Sequence, residues 1–368
     1  MRRPALPVLM LLLVPSADGA DGPVPLPALA WGPRLYACCR AAEPPEIDGA
    51  LSDPAWAAAP WTEDFVDIEG PSRPAPRYRT RAKMLWDDAC LYVAAELEEP
   101  DVWGTLRERD SVIYHDNDFE VFIDPDGDTH EYYELEVNAL GTEWDLLLMK
   151  PYRDGGPAVN AWDIAGLRTA VSVDGTLNVP GDADAGWTVE IALPWAVLAE
   201  CAHRDAPPTP GDEWHINFSR VEWRARPTAE GRYEKLLDAA TGKPLPEDNW
   251  DWSPQGLIAM HYTEMWGIVR FLDEPAGAPR GAGEACDSAF EPGPRHAAAW
   301  TLRRIYYAER NRNAAGGGYT ADVAALGEDA WGALDPGVVV TAGADWFVAT
   351  LALPDGSVLR IRDDGRVW

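Results

Sequence analysis

The sequence predicts a mainly β protein, an antiparallel sandwich over residues 34–272 with a small α+β module behind it. Two observations carry this. Segments of period-two alternation, broken by Gly, Pro, Asn and Asp turns, recur from Arg81 to Leu272 with few helical periods between them, which excludes a βαβ pattern. A stretch rich in Pro, Gly, Ala and Glu then intervenes, and helical spacing begins only at His296. A chain of 368 residues is long enough for one large β domain and an appendage.

Taken in order, Arg2-Arg3, the apolar run Ala5 to Val14 and small residues at Ser16, Ala17, Gly19 and Ala20 predict an export signal over residues 1–20. The run is shorter than the roughly 20 residues of a membrane span. Periplasmic or extracellular localisation, without membrane insertion, is the expectation. Asp21 to Pro33 reads as an exposed leader. Asp53-Pro54 opens a short helix within Leu51 to Ala59 that docks Trp56. Phe65 to Pro76 reads as loop. Arg81 to Trp86 and Leu91 to Leu97 are strands split at Asp87-Asp88, and an irregular stretch containing Trp103 follows.

The most informative segment is Asp116 to Gly141. Phe119, Val121 and Ile123 alternate with Glu120, Phe122 and Asp124. After the turn Asp124-Pro125-Asp126-Gly127-Asp128, Tyr133, Leu135 and Val137 alternate with Tyr132, Glu134 and Glu136. This is a hairpin with one apolar face and one face loaded with carboxylates and aromatics, and the second face is where function is expected. Further strands are predicted at Trp144 to Lys150, Leu167 to Val173, Trp187 to Leu193, Trp214 to Val221 and Ile268 to Leu272, with a short helix over Pro194 to Cys201. Residues 273–295 read as a linker. The tail, 296–368, reads as a helix over His296 to Asn313 and strands at Val338 to Thr341, Trp346 to Leu353 and Val358 to Ile361. Its layout resembles the globular part of pilin-like proteins.

A formal charge of −30 excludes nucleic acid as a partner, because that binding is driven by cationic side chains. Eighteen Trp against seven Phe point to flat apolar surfaces beyond core needs. The five cysteines at 38, 39, 90, 201 and 286 match no zinc or disulfide framework. No Gly-x-Ser-x-Gly or His-Glu-x-x-His motif is present.

In order and spacing, Glu46-Ile47-Asp48-Gly49 with Trp56, Lys83 to Asp88, Asp116 to Asp128, Tyr132 to Gly141, Gly186 to Ile191, Asn217 to Arg220, Trp252-Ser253-Pro254 and Trp266-Gly267 resemble the carbohydrate-binding module family 9-like domain of secreted bacterial proteins. The resemblance implies a jelly-roll-like β-sandwich and an exported, non-catalytic carbohydrate-binding protein tied to polysaccharide recognition or catabolism, with calcium bound in some members. Tyr114 falls where the family has a clamping aromatic and Glu120 where it has a hydroxyl-binding Glu. The second clamp position falls near Met260-His261, and a family Arg corresponds to Glu136. A saccharide needs flat rings for its C–H faces and polar groups for its hydroxyls. The candidates are therefore Trp103, Tyr114, Glu120, Arg220, Glu222, Trp223, Trp250, Trp252 and His261. Arg220 and Trp223 are expected on a strand that shares the Glu120 face. Asp124, Asp126 and Asp128 suit Ca²⁺, and the same three residues suit an acidic hairpin turn. Two alternatives stay open: a glycoside hydrolase-associated enzyme, which needs a spaced carboxylate pair, and a haem-binding sandwich using Met149, Met260 or His261.

Overall fold

A computed structural model describes residues 22–277 and 289–368. The expected export signal and the middle of the expected linker, 278–288, lie outside the described residues. Thirteen strands join into one hydrogen-bonded sheet: β1 Leu35–Arg40, β2 Val66–Asp67, β3 Thr80–Trp86, β4 Cys90–Glu98, β5 Asp118–Asp124, β6 Tyr132–Asn138, β7 Glu143–Leu148, β8 Ala158–Val159, β9 Arg168–Asp174, β10 Gly186–Pro194, β11 Glu213–Glu222, β12 Asp248–Asp251 and β13 Gly267–Pro275. The strand order is β8-β7-β6-β5-β11-β13-β1-β3-β4-β10-β9, with β12 bridging β11 to β2.

The sheet folds over on itself, so that the apolar faces of β3, β4 and β10 meet those of β5, β6 and β11. Phe119, Val121, Ile123, Tyr133, Leu135 and Val137 all point into this shared core, as their alternation requires. Trp214, Ile216 and Phe218 meet them from β11, and Met84, Val93 and Ile191 from the opposite layer. The result is the expected mainly β sandwich. One departure from the expectation is direction: β1 runs parallel to both β13 and β3. Side-chain alternation is the same in either direction, so the sequence pattern carries no sign of it.

Helix α1 (Pro54–Ala58) buries Trp56, whose Nε1 donates to Glu190 Oε1 at 2.6 Å. Helix α2 (Trp195–Leu198) follows β10 directly. The tail consists of α3 (Pro294–Ala314) and a three-stranded sheet, β14 Val339–Ala342, β15 Phe347–Ala352 and β16 Val358–Arg362. Leu302, Ile305 and Tyr306 of the helix pack on Phe347, Ala349, Leu359 and Ile361 of the sheet. No described helix is long and apolar enough to cross a membrane.

The leader is not the exposed segment expected. Val24 joins the tail core, its N–H donating to Asn311 Oδ1 at 2.6 Å, and Trp31 stacks on Trp300 at 6.1 Å. The tail also meets the sandwich through buried polar groups. Glu264 accepts from Arg153 at 2.8 Å and from the Tyr307 hydroxyl, while Tyr306 and Arg310 both donate to Asp154 Oδ1 at 2.6 Å. A composition reading locates neither contact, because each joins residues more than 40 positions apart. Cys39 is disulfide-bonded, and Cys38, Cys90 and Cys201 are free thiols.

Candidate functional site

Register decides which residues share the outer face of β5, β6 and β7. Trp144, Glu136, Glu120, Ser219 and Asp251 are successive cross-strand partners on β7, β6, β5, β11 and β12. The next row is Leu146, Glu134, Phe122 and Asn217. Asp118 lies two residues from Glu120 and therefore on the same face. One end of this face is apolar, with Phe122, Tyr132, Leu146, Leu148 and Trp266 packed together. The other end is a patch of four buried carboxyl groups, Asp118, Glu120, Glu134 and Glu136.

Among the described residues no arginine or lysine forms an ion pair with these four groups. Burial pushes the Glu120 carboxyl up to about 8, with half-buried Glu247 adding repulsion. Asp118, Glu134 and Glu136 are likewise pushed well above the usual carboxylate range, by burial first and then by Glu120. Lys235, whose charge reaches Asp118, sits over the Trp223 ring at 3.2 Å. Burial lowers that ammonium to about 8 against the pull of Asp116, Glu247 and Asp118.

Aromatic rings rim the patch. Tyr114 is 38% exposed and lies 6.4 Å from the Trp144 ring. Tyr152 is 46% exposed and packs edge-on against His261 at 4.6 Å. The fields of Glu134, Glu136 and Tyr114 all reach the Tyr152 hydroxyl, whose pKa is raised first by burial and then by them. The Tyr114 loop is fixed from two sides: its N–H donates to Glu136 Oε2 at 2.9 Å, and Trp223 Nε1 donates to its carbonyl at 2.8 Å. The arrangement, termed the bowl, has buried ionisable oxygens as its floor and two partly open tyrosines as its rim. Such a surface suits a ligand with apolar ring faces and many hydroxyls.

Of the residues singled out from sequence, Tyr114, Glu120 and His261 come together on this face. His261 accepts or donates a 2.9 Å hydrogen bond between its Nδ1 and the Tyr132 hydroxyl. Burial and nearby Arg153 lower its pKa to about 3, so the ring is neutral. Trp223 supports the bowl by holding the Tyr114 backbone, and Lys235 covers one of its faces.

Arg220, Glu222, Trp250 and Trp252 require correction. Ser219, not Arg220, is the residue opposite Glu120, so Arg220 and Glu222 point to the core side of the sheet. Arg220 is fully buried and donates to Glu99 Oε2 at 2.7 Å and Glu222 Oε2 at 2.8 Å. Trp250 lies opposite Arg220 on that same side, and both Trp250 and Trp252 belong to the main core. Trp103 is buried as well and offers no open ring. The residues that sequence reasoning left off its site are Asp118, Glu134, Glu136, Trp144, Tyr152 and Ser219. Alternation already placed Glu134 and Glu136 on the outer face. Nothing local in sequence ties Tyr152, in a loop, to that face.

Asp124, Asp126 and Asp128 bring carboxylate oxygens within 4.8 Å of one another. Most of those oxygens already accept local donors. Asp124 takes the N–H groups of Gly127 and Thr129, both at 2.9 Å, and Asp126 that of Asp128 at 3.2 Å. Asp128 takes His130 N–H at 2.7 Å and Arg366 Nε at 2.8 Å. Asp126 retains the most open carboxylate, so the set fits a cation only in part. For a haem, Met149 packs against the main core while Met260 packs with the outer-face cluster. The fold thus does not bring those candidate axial ligands together.

Residues 47–209 match the family described as Carbohydrate family 9 binding domain-like. Among curated proteins, Exoglucanase XynX of Acetivibrio thermocellus is 27% identical over 117 residues, which is 32% of this chain. The aligned part spans 9% of that relative's length. Among solved structures, a family 9 module from Caldicellulosiruptor kristjanssonii in complex with cellotriose aligns over 70% of this chain and all of its own, at 15% identity and a TM-score of 0.42. A putative carbohydrate-binding protein from Bacteroides uniformis aligns over 65% of this chain and 97% of its own, at 14% identity and a TM-score of 0.44.

Proposed function

We propose that the chain is an exported, non-catalytic protein that binds saccharide in the bowl formed by Tyr114, Trp144, Tyr152 and His261 over Glu120, Glu134 and Glu136. One observation carries the reading: two partly exposed tyrosines stand on the rim of a carboxyl-lined floor that is otherwise buried. Ring faces of a sugar stack on such tyrosines, and its hydroxyls donate to the floor oxygens. The family match over residues 47–209 supports the same ligand class.

Binding is favoured over hydrolysis on physical grounds. Glycoside hydrolysis needs one carboxyl group held protonated and another held ionised. Here Asp118, Glu120, Glu134 and Glu136 are all shifted in the same direction, for the same first cause. Export rests on the Arg2-Arg3 and Ala5 to Val14 pattern, and a role in polysaccharide recognition follows from the two together.

Screening the purified protein against soluble oligosaccharides and insoluble polysaccharides tests the proposal. Retention of at least one saccharide, with no reducing ends released on prolonged incubation, is expected. Failure to retain any saccharide, or hydrolysis of the one retained, overturns it.

A further inference from the structure

Three trios of acidic side chains among the described residues bring carboxylate oxygens within 4.8 Å of one another. Two of them are already supplied with partners. Arg109 lies among Asp110, Asp145 and Asp163, contacting all three carboxylates. The Asp124, Asp126 and Asp128 trio accepts backbone N–H groups of its own turn and the Arg366 guanidinium. The third trio, Asp118, Glu120 and Glu136, has no such counter-charge and is the most deeply buried of the three.

Hydrogen bonds account for only part of its oxygens. Asp118 Oδ1 accepts from Val221 N–H at 3.1 Å, and Glu136 Oε2 from Tyr114 N–H at 2.9 Å. Asp118 Oδ2 is buried with no partner. Ser219 supplies an independent sign. It is fully buried, stands directly opposite Glu120, and lies beside the Glu120 and Asp251 carboxyl groups. Its Oγ comes close enough to both to draw their pKa values down, yet is oriented for a well-formed hydrogen bond to neither, and Asp251 Oδ1 and Glu134 Oε2 are also without partners. Buried polar atoms in folded proteins are almost always partnered, and buried like charges without a counter-ion are costly. Four polar side chains converging in this state around Glu120 and Glu136 call for a positive charge between them.

We propose that Asp118, Glu120 and Glu136 form a divalent-cation site suited to Ca²⁺, with Ser219 Oγ as a neutral fourth donor. Ca²⁺ takes carboxylate and neutral oxygens at about 2.3–2.6 Å in flexible geometry. Two ligands on opposite sides of such an ion lie about 4.6–5.2 Å apart, so oxygens within 4.8 Å of one another can share it. The ion's double charge offsets the mutual repulsion of the trio. Glu134 and Asp251, one step away on the sheet, add further negative potential.

The test uses the metal alone, so its outcome is independent of whether a saccharide has been found. CaCl₂ is titrated calorimetrically into the chelator-stripped protein, and melting curves are recorded with Ca²⁺ and with EDTA. Wild type is expected to bind Ca²⁺ and to melt several degrees higher with it, because binding to the folded state alone stabilises by mass action. Asp118→Asn is expected to weaken that event at least tenfold. In EDTA the same variant should melt no lower than wild type, since it removes an uncompensated buried charge and retains an acceptor for Val221 N–H. Asp126→Ala should leave the event in place. Absence of any Ca²⁺-dependent heat or melting shift overturns the proposal. So does a shift that survives Asp118→Asn and disappears in Asp126→Ala, which would assign the ion to the hairpin turn.

Discussion

Arg220→Ala removes the guanidinium that holds Glu99 and Glu222 together, two carboxylates whose side chains are each 3% exposed. The arginine also donates to Thr80 Oγ1 at 3.0 Å and to the Glu98 carbonyl at 2.9 Å, and it lies over the Trp250 ring at 5.2 Å. Deleting one partner of a buried ion pair costs about 3–5 kcal/mol, because the other charge stays behind unpaired. Here two charges stay behind, so the upper half of that range is expected at pH 8. Burial and Glu222 already push the Glu99 carboxyl upward, with Arg220 opposing them. Without Arg220 it rises further. A carboxyl whose folded pKa is raised is harmless while protonated and destabilises as pH rises through that value. The cost of the substitution is therefore smaller at pH 5 than at pH 8. Urea unfolding followed by tryptophan fluorescence at both pH values measures it, and Glu99→Gln in the Arg220→Ala background should recover part of the loss. Saccharide affinity of the folded protein should be unchanged. A cost below about 1 kcal/mol, or an affinity loss with stability intact, would place Arg220 on the ligand face and refute the register argument.

Two further perturbations probe the frame around the bowl. Although burial alone would raise it, Arg153, Arg303 and the Tyr307 hydroxyl hold the Glu264 carboxyl down to about 2. A depressed carboxyl stabilises fully above its ordinary value of 4.5 and loses that contribution as pH falls toward 2. About 3 kcal/mol should therefore vanish across this window in melting curves, and Glu264→Gln should lose most of it already at pH 7. Gly267→Ala would set a Cβ 2.2 Å from Trp252 Cζ3 inside the core, and overpacking of this kind costs about 1–3 kcal/mol. An unchanged melting temperature would show that Trp252 is free to move, contrary to its place in the core.

What the sequence could and could not reveal follows from the range of each signal. Alternation is local, so it placed Glu120, Glu134 and Glu136 on one face and Phe119, Val121 and Ile123 on the other, as the structure has them. Register is a pairing between distant segments, and a one-residue difference moves a side chain to the opposite face. That is why Ser219 stands beside Glu120 while Arg220 is in the core. The strand of Trp250 is only four residues long, too short for a periodic pattern to show which face the ring takes. Tyr152 reaches the bowl through loop geometry alone. The leader and tail contacts, Val24 with Asn311 and Tyr307 with Glu264, depend on how separate elements dock.

The central claim, that saccharide sits between the two rim tyrosines, is tested most directly by its dissociation constant in Tyr114→Ala and Tyr152→Ala. Isothermal titration with a saccharide retained in the screen supplies it, alongside melting curves of each variant. Both rings are partly exposed, so folding should be nearly unaffected. The lost stacking, about 0.5–1.5 kcal/mol for each ring, predicts a two- to tenfold rise in Kd for each variant, at roughly tenfold per 1.4 kcal/mol. Wild-type affinity in both variants would contradict the account and move the site away from the bowl.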